Sequence, residues 1–145
     1  MSLPVPLLKY YEIGFIENDH FDDQECLALL RRSRFGRIAV SFKAVPVVFP
    51  VRYTLSDGEL KFAVPEEQLA KALDKAVATL QADGFDEDSG RRWTAFAAGP
   101  TERLETIGSL GLGPSSLESD PVTEEWGGVF RLQPVILSGW WIDYL

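Results

Sequence analysis

Few residues in this chain could do chemistry, and their types narrow that chemistry at once. It holds a single histidine, His20, and a single cysteine, Cys26. One imidazole and one thiol weigh against a His/Cys metal site. They weigh equally against a Ser-His-Asp or Cys-His catalytic pair. The glycines of "GSLGLG" (Gly108 to Gly113) are spaced like a phosphate loop. They neither follow a strand nor open a helix, and no Walker lysine accompanies them, so they read as plain loop. The carboxylates of "DEDS" (Asp86 to Ser89) and "ESD" (Glu118 to Asp120) lack the alternating ligands and fixed glycine of a calcium loop. They read as solvated turns. No metal site is expected, and no side chain stands out as a general acid or base.

What remains is aromatic and basic. Trp93, Trp126, Trp140 and Trp141 are many indoles for a short chain, and indoles more often pack than serve as ligand platforms. Trp93 differs because it follows Arg91 and Arg92 beside a turn, where a ring can flank a pocket. The terminal "WWIDYL" suits closure of a barrel or contact with another copy. Arg37, Arg52, Lys61 and Lys71 come from four separate segments. Strand charges usually just face water; the alternative is a set of cations gathered at one barrel end.

The elements that must position these residues follow from pattern. The stretch "DDQECLALLRRS" predicts a helix, with Asp22 as cap, Glu25 three residues on, an apolar stripe through Cys26, Leu27 and Leu30, and Arg31 and Arg32 at the negative end. The period then changes. "RIAVSF", a "KA" turn and "VPVVFPVRY" predict two strands, and "SDG" turns the chain into a third, "ELKFAV". "PEEQLAKALDKA" predicts a short helix with Pro65 at its first position. "AVATLQAD" is a fourth strand and "GFDEDSGRR" an acidic turn. "WTAFAAGPTERL" is a fifth, bent at Gly99-Pro100. The last segment, "WGGVFRLQPVILSGWWIDYL", reads as two strands broken near Gln133-Pro134 or Ser138-Gly139. Local connections favour antiparallel pairing.

Composition bounds the rest. A chain of 145 residues is expected to be one domain over 1–145, with an extended N-terminal arm at 1–20 and a Gly/Ser/Pro-rich flexible loop at 105–125. The formal net charge of −8 repels phosphate backbones, so no nucleic-acid partner is expected. No apolar run has membrane-span length and no leader pattern opens the chain, so no membrane partner is expected either. The lone cysteine suits a reducing cytoplasm.

In this order, "SRFGRIAVSFKAVPVVFPVRY", "DGELKFAV", "QLAKAL" and "RRWTAFAAGPTERL" resemble the pyridoxamine 5'-phosphate oxidase-like, flavin-binding split barrels, nearest the short bacterial flavin-nucleotide-binding type. The resemblance runs from about Asp22 to Leu104, with a weaker echo in "WGGVFRLQPVILSG". It rests on order and spacing rather than on one motif.

The resemblance implies a mainly β (α+β) fold: a six-stranded antiparallel split β-barrel with short capping helices. It implies a homodimer with FMN at the interface. Pro50, Val51, Arg52 and Tyr53 would line the isoalloxazine and ribityl chain. Phe62, Ala63, Val64, Gln68 and Leu69 would follow the phosphate segment, and Trp93 and Thr94 would reach the flavin from the other side. The chain departs from the family pattern where it matters for phosphate. Ala63-Val64 stand where Arg-Thr is common, Gln68 where lysine is, Glu67 where glycine is, and Arg52 where asparagine is. Arg52 or Lys71 is then left to take the phosphate. The implied activity is a flavin-dependent reductase or oxidase. The alternatives are an F420-binding relative, or a cofactor-free split-barrel dimer serving as a binding module. An unrelated small β-barrel is the bland reading.

Overall fold

The computed structural model describes residues 20–104 and 128–142. Helix α1 (Asp23–Arg32) leads into strands β1 (Phe35–Phe42), β2 (Val45–Ser56) and β3 (Glu59–Val64). Helix α2 (Glu67–Leu73) follows, then β4 (Val77–Asp86), β5 (Arg91–Leu104), β6 (Gly128–Leu132) and β7 (Ile136–Ile142). Every ladder is antiparallel.

The sheet order β4-β1-β2-β3-β6-β5-β7, with β4 also paired to β5, closes six strands into a barrel and leaves β7 outside the ring. The expected six-stranded barrel is therefore present, with one strand added. The addition follows from the length of β5. On one side it pairs β4 over Arg91–Pro100; on the other it pairs β7 over Arg92–Ala98 and then β6 over Thr101–Leu104. The partner changes at Gly99-Pro100, where the N–H of Gln133 donates to Pro100 O at 3.1 Å and that of Val135 to Ala98 O at 2.8 Å. A Cβ on Gly99 would fall 1.8 Å from Gln133 O. Only glycine lets the two backbones meet there.

Period-2 alternation sorts the strands. Ile38 and Val40, Phe49, Val51 and Tyr53, Leu60, Phe62 and Val64 point into the barrel. Phe62 stacks on Phe130 with centroids 6.2 Å apart. Each such side chain contributes about 1.5–3 kcal/mol by leaving water. Helix α1 buries Cys26, Leu29 and Leu30 against the sheet; Asp22 caps it, its carboxylate accepting the Glu25 N–H at 2.8 Å. Helix α2 buries Ala70, Ala72 and Leu73, and the Thr101 hydroxyl donates to the Leu73 carbonyl beneath it.

Some expected boundaries move. Helix α2 starts at Glu67 with Glu66 as cap, so Pro65 stands before the helix rather than at its first position. β3 runs to Val64, and a residue preceding proline is held extended. The acidic turn shrinks to 87–90 because β4 continues to Asp86 and β5 begins at Arg91. The Asp86 carboxylate closes it by accepting the Ser89 hydroxyl at 2.6 Å and the Ser89 N–H at 3.2 Å. The break in the last segment falls at 133–135, so Ser138-Gly139 lies inside β7. The expected arm, except His20, and the expected loop lie outside the described residues, as does Trp126.

Candidate functional site

Alternation along β2 decides what each candidate can offer. Val51 and Tyr53 are buried inside the barrel, whereas Pro50 and Arg52 face outward. Phe62 and Val64 are likewise interior, and Ala63 faces outward between them. Trp93 is interior and lies over Gly84, and Thr94 points to the outer face. Core side chains are spent on packing, so Val51, Tyr53, Phe62, Val64 and Trp93 can offer a ligand only backbone. On α2, Gln68 and Lys71 are exposed and Leu69 packs against the core.

The outward candidates meet in a row across four strands. Arg37 pairs with Pro50 on one side and with Gln81 on the other. Gln81 in turn pairs with Phe96, and Asp83 with Thr94, on β5. Neighbouring strands lie about 4.8 Å apart, so this row is about 14 Å wide. At one end Phe35 faces Arg52 across the β1–β2 ladder, with the guanidinium 5.3 Å from the ring centroid. Phe35 is 63% exposed. The two make a cation–π shelf open to solvent on the ring side.

The middle of the row is a polar chain. The Gln81 amide donates to Thr94 Oγ1 at 3.0 Å and to Asp83 Oδ2 at 3.2 Å, while its oxygen accepts from Arg37 at 3.3 Å. Arg37 also lies 3.6 Å from Asp83. Because the Gln81 amide covers it, Thr94 is buried. Gln81 lies on the outer face beside Thr94. Sequence reading missed Phe35, Gln81 and Asp83 as site residues. For Gln81 and Asp83 the signal was present in "TLQAD", where Thr79, Gln81 and Asp83 alternate with buried Leu80 and Ala82.

A further cation stands beside α2. Arg103, from the end of β5, lies 3.7 Å from the Glu67 carboxylate and 5.6 Å from the Phe130 ring centroid. It is remote in sequence from the segment expected to hold phosphate, so no local pattern could place it there. Glu67 is the acid that competes for it.

No group of His, Cys, Asp and Glu suited to a metal occurs among the described residues. Burial pushes the Cys26 thiol up to about 12, with the Asp23, Asp22 and Glu25 charges adding to it. Burial likewise pushes the Tyr53 hydroxyl up to about 12. Both stay protonated at neutral pH, so neither is a ready nucleophile or base. The arrangement can bind and orient a flat group on its outer face. It does not present an acid–base pair. Among the described residues, no helix is long and apolar enough to cross a membrane.

Residues 22–131 match a family model described as pyridoxamine 5'-phosphate oxidase. Solved structures with the same fold include a FAD-binding protein from Mesorhizobium loti, 20% identical with a TM-score of 0.70, covering 86% of this chain and 97% of that one. A FAD binding protein from Mycobacterium smegmatis is 17% identical, with a TM-score of 0.64 and the same two coverages, 86% and 97%. A flavocytochrome from Azotobacter vinelandii is 15% identical with a TM-score of 0.65, covering 89% of this chain and 72% of that one. At such identities the likeness is one of fold. Comparison with curated proteins finds no match.

Proposed function

The chain belongs to the pyridoxamine 5'-phosphate oxidase family, and from that premise we infer that it binds a flavin on the outer face of the β1–β2–β4 sheet, between two copies of itself. The observation that carries this reading is the Phe35–Arg52 shelf beside Pro50. A flat, electron-poor ring system stacks on such a surface, and the guanidinium can bond a ring carbonyl or the ribityl chain. The names of the fold's relatives, two FAD-binding proteins and a flavocytochrome, point the same way.

The donors fit the ring better than the phosphate. Ala63, Val64 and Gln68 bring no cation, and Glu67 pairs with Arg103 at 3.7 Å. Lys71 and Arg103 are the cations near that end. Bound flavin would supply hydride or electron transfer. This chain would bind the ring at Phe35 and Arg52, orient it against Pro50 and Gln81, and exclude water through the second copy. The activity expected is that of a flavin-dependent oxidoreductase acting in a homodimer.

The Glu67–Arg103 pair favours a second reading, in which phosphate binding is lost and the fold serves as a cofactor-free or F420-type binding module. Titration of the purified protein with FMN, FAD, riboflavin and F420, read by quenching of ligand fluorescence, separates these. Saturable uptake of any flavin supports the first reading. Uptake of F420 alone, or of nothing, gives the second.

A further inference from the structure

Two grooves meet on the outside of the barrel, and one residue lines both. The first, about 310 Å³, runs past Ala39 and Ser41 of β1, Thr79 of β4 and Ala98 of β5 to Val135. The second, about 380 Å³, runs past Lys75, Pro100 and Glu102 to Arg131 and Gln133. Val77 belongs to both. Register makes them one trough. Thr79 pairs with Ala98 and Val77 with Pro100, and alternate residues of a strand share a face. Successive rows on that face lie about 7 Å apart, so the grooves follow one line along β4 and β5.

The opening has its cause in the strands. The β1–β4 ladder holds only Arg37–Gln81, Ile38–Leu80 and Ala39–Thr79. β1 continues to Phe42 and β4 reaches back to Val77 without pairing further. The first groove occupies the gap where they part. The two ends of the trough differ in character. Among the described residues, no ionisable side chain lines the first groove, and Val77 and Val135, 47% and 58% exposed, belong to its wall. The second groove carries Lys75 and Arg131 against one carboxylate, Glu102. Arg131 is already committed, to Glu102 at 2.5 Å and to Glu59 at 3.8 Å. Lys75 forms no ion pair among the described residues. Its backbone lies in the left-handed region, at φ 52°, one residue past the C-cap Asp74 of α2. Glycine fills such a position at least cost. A lysine held there against strain points to a use for its side chain.

We propose that this trough binds a small amphiphile, an apolar chain ending in a carboxylate, with the chain in the gap between β1 and β4 and the carboxylate on Lys75. An apolar slot that ends on an unpaired ammonium is complementary to that chemistry. A neutral oil would leave the ammonium unused, and a cation would be repelled by it. A phosphate carries nearly two charges and would need a second cation, but Arg131 already serves two carboxylates. The net charge of −8 repels anions in general, so the attraction has to be local. None of the lining residues belongs to the flavin surface at Phe35, Pro50, Arg52 and Gln81, and the proposal goes beyond that reading.

Isothermal titration of the purified protein with decanoate, decanol, decylammonium and acetate tests it. Decanoate should saturate at one per chain. Decanol and decylammonium should bind roughly fivefold more weakly or worse, because neither can accept a charge-assisted bond from Lys75. Acetate, which has no chain, should show no uptake. Lys75→Met keeps the stem and removes the charge, so decanoate and decanol should then bind alike. Lys75→Arg should retain the preference for decanoate. Ala39→Leu, at an exposed position that leaves the fold unchanged by circular dichroism, should weaken decanoate and decanol equally by filling the gap. A wild type that ignores decanoate, a preference that survives Lys75→Met or is lost in Lys75→Arg, or unchanged affinity in Ala39→Leu would each overturn the proposal. Flavin uptake and decanoate uptake share no residue, so either can fail without the other.

Discussion

The Tyr53 hydroxyl donates to the Leu30 carbonyl at 2.6 Å, tying the C-terminal part of β2 to the last turn of α1. A helix leaves its final carbonyls without internal partners, and a buried one must find a donor elsewhere. Tyr53 supplies it from a side chain 2% exposed. Tyr53→Phe keeps the ring and removes the donor, leaving that carbonyl buried and unsatisfied. Stability should fall by about 1–3 kcal/mol. Urea denaturation gives the number, and an unchanged midpoint would show that water replaces the hydroxyl.

The same residue makes stability pH-dependent on the alkaline side. Burial raises the Tyr53 hydroxyl from 10.0 to about 12 and the Cys26 thiol from 9.0 to about 12. In that window the unfolded chain has lost these protons and the native chain still holds them. Their contribution is fully present below pH 9 and should disappear as pH rises toward 12. Denaturation midpoints measured across this range should fall, and should fall less steeply in Tyr53→Phe. Parallel curves for the two proteins would remove Tyr53 from the account.

Trp93 and Gly84 face each other across the β4–β5 ladder. A Cβ at position 84 would come 2.5 Å from the indole Cζ2. Gly84→Ala must therefore displace a buried ring, at a cost of about 1–3 kcal/mol. The cost should shrink markedly in a Trp93→Leu background, because the two changes share one contact. Equal penalties in both backgrounds would mean that the backbone, not the indole, resists the methyl group.

The β1–β2 turn is built from Lys43 and Ala44, both at positive φ, 50° and 65°. The β2–β3 turn uses Asp57 and Gly58 at 54° and 74°. Two-residue hairpins demand this conformation, and only glycine adopts it without strain. Ala44→Gly should raise stability by roughly 0.5–1 kcal/mol. A thermal melt that fails to rise would show that the added freedom of the unfolded chain offsets the relief.

Glu67 sits 3.7 Å from Arg103 at the end where a phosphate would bind. Glu67→Gln removes the negative charge without removing bulk. If flavin binds as inferred, affinity for FMN should rise about tenfold relative to riboflavin, since a bond to a charged group is worth about 1.5–3 kcal/mol. On the same premise Arg52→Ala should weaken both ligands alike, because Arg52 would bond the ring. An unchanged FMN-to-riboflavin ratio in Glu67→Gln would place the phosphate elsewhere.

Much of the fold was legible because it depends on near neighbours. The cap at Asp22, the Asp57-Gly58 turn and the alternation of "ELKFAV" each state their conformation within a few residues, and the structure keeps all three. The antiparallel barrel followed from short connections, and family order carried the rest. The candidate site was legible only as a stretch of chain. Pro50 through Tyr53 could be named from the sequence, but a one-residue step in a strand reverses the face. Placing Arg52 outside and Tyr53 inside required the register of β2 with β1 and β3. Local periodicity cannot say which strands meet. The pairing of β5 with three partners, the meeting of Arg37 with Asp83, and the approach of Arg103 to Glu67 are consequences of barrel closure. Closure depends on contacts among residues far apart in sequence, so tertiary structure alone decided them.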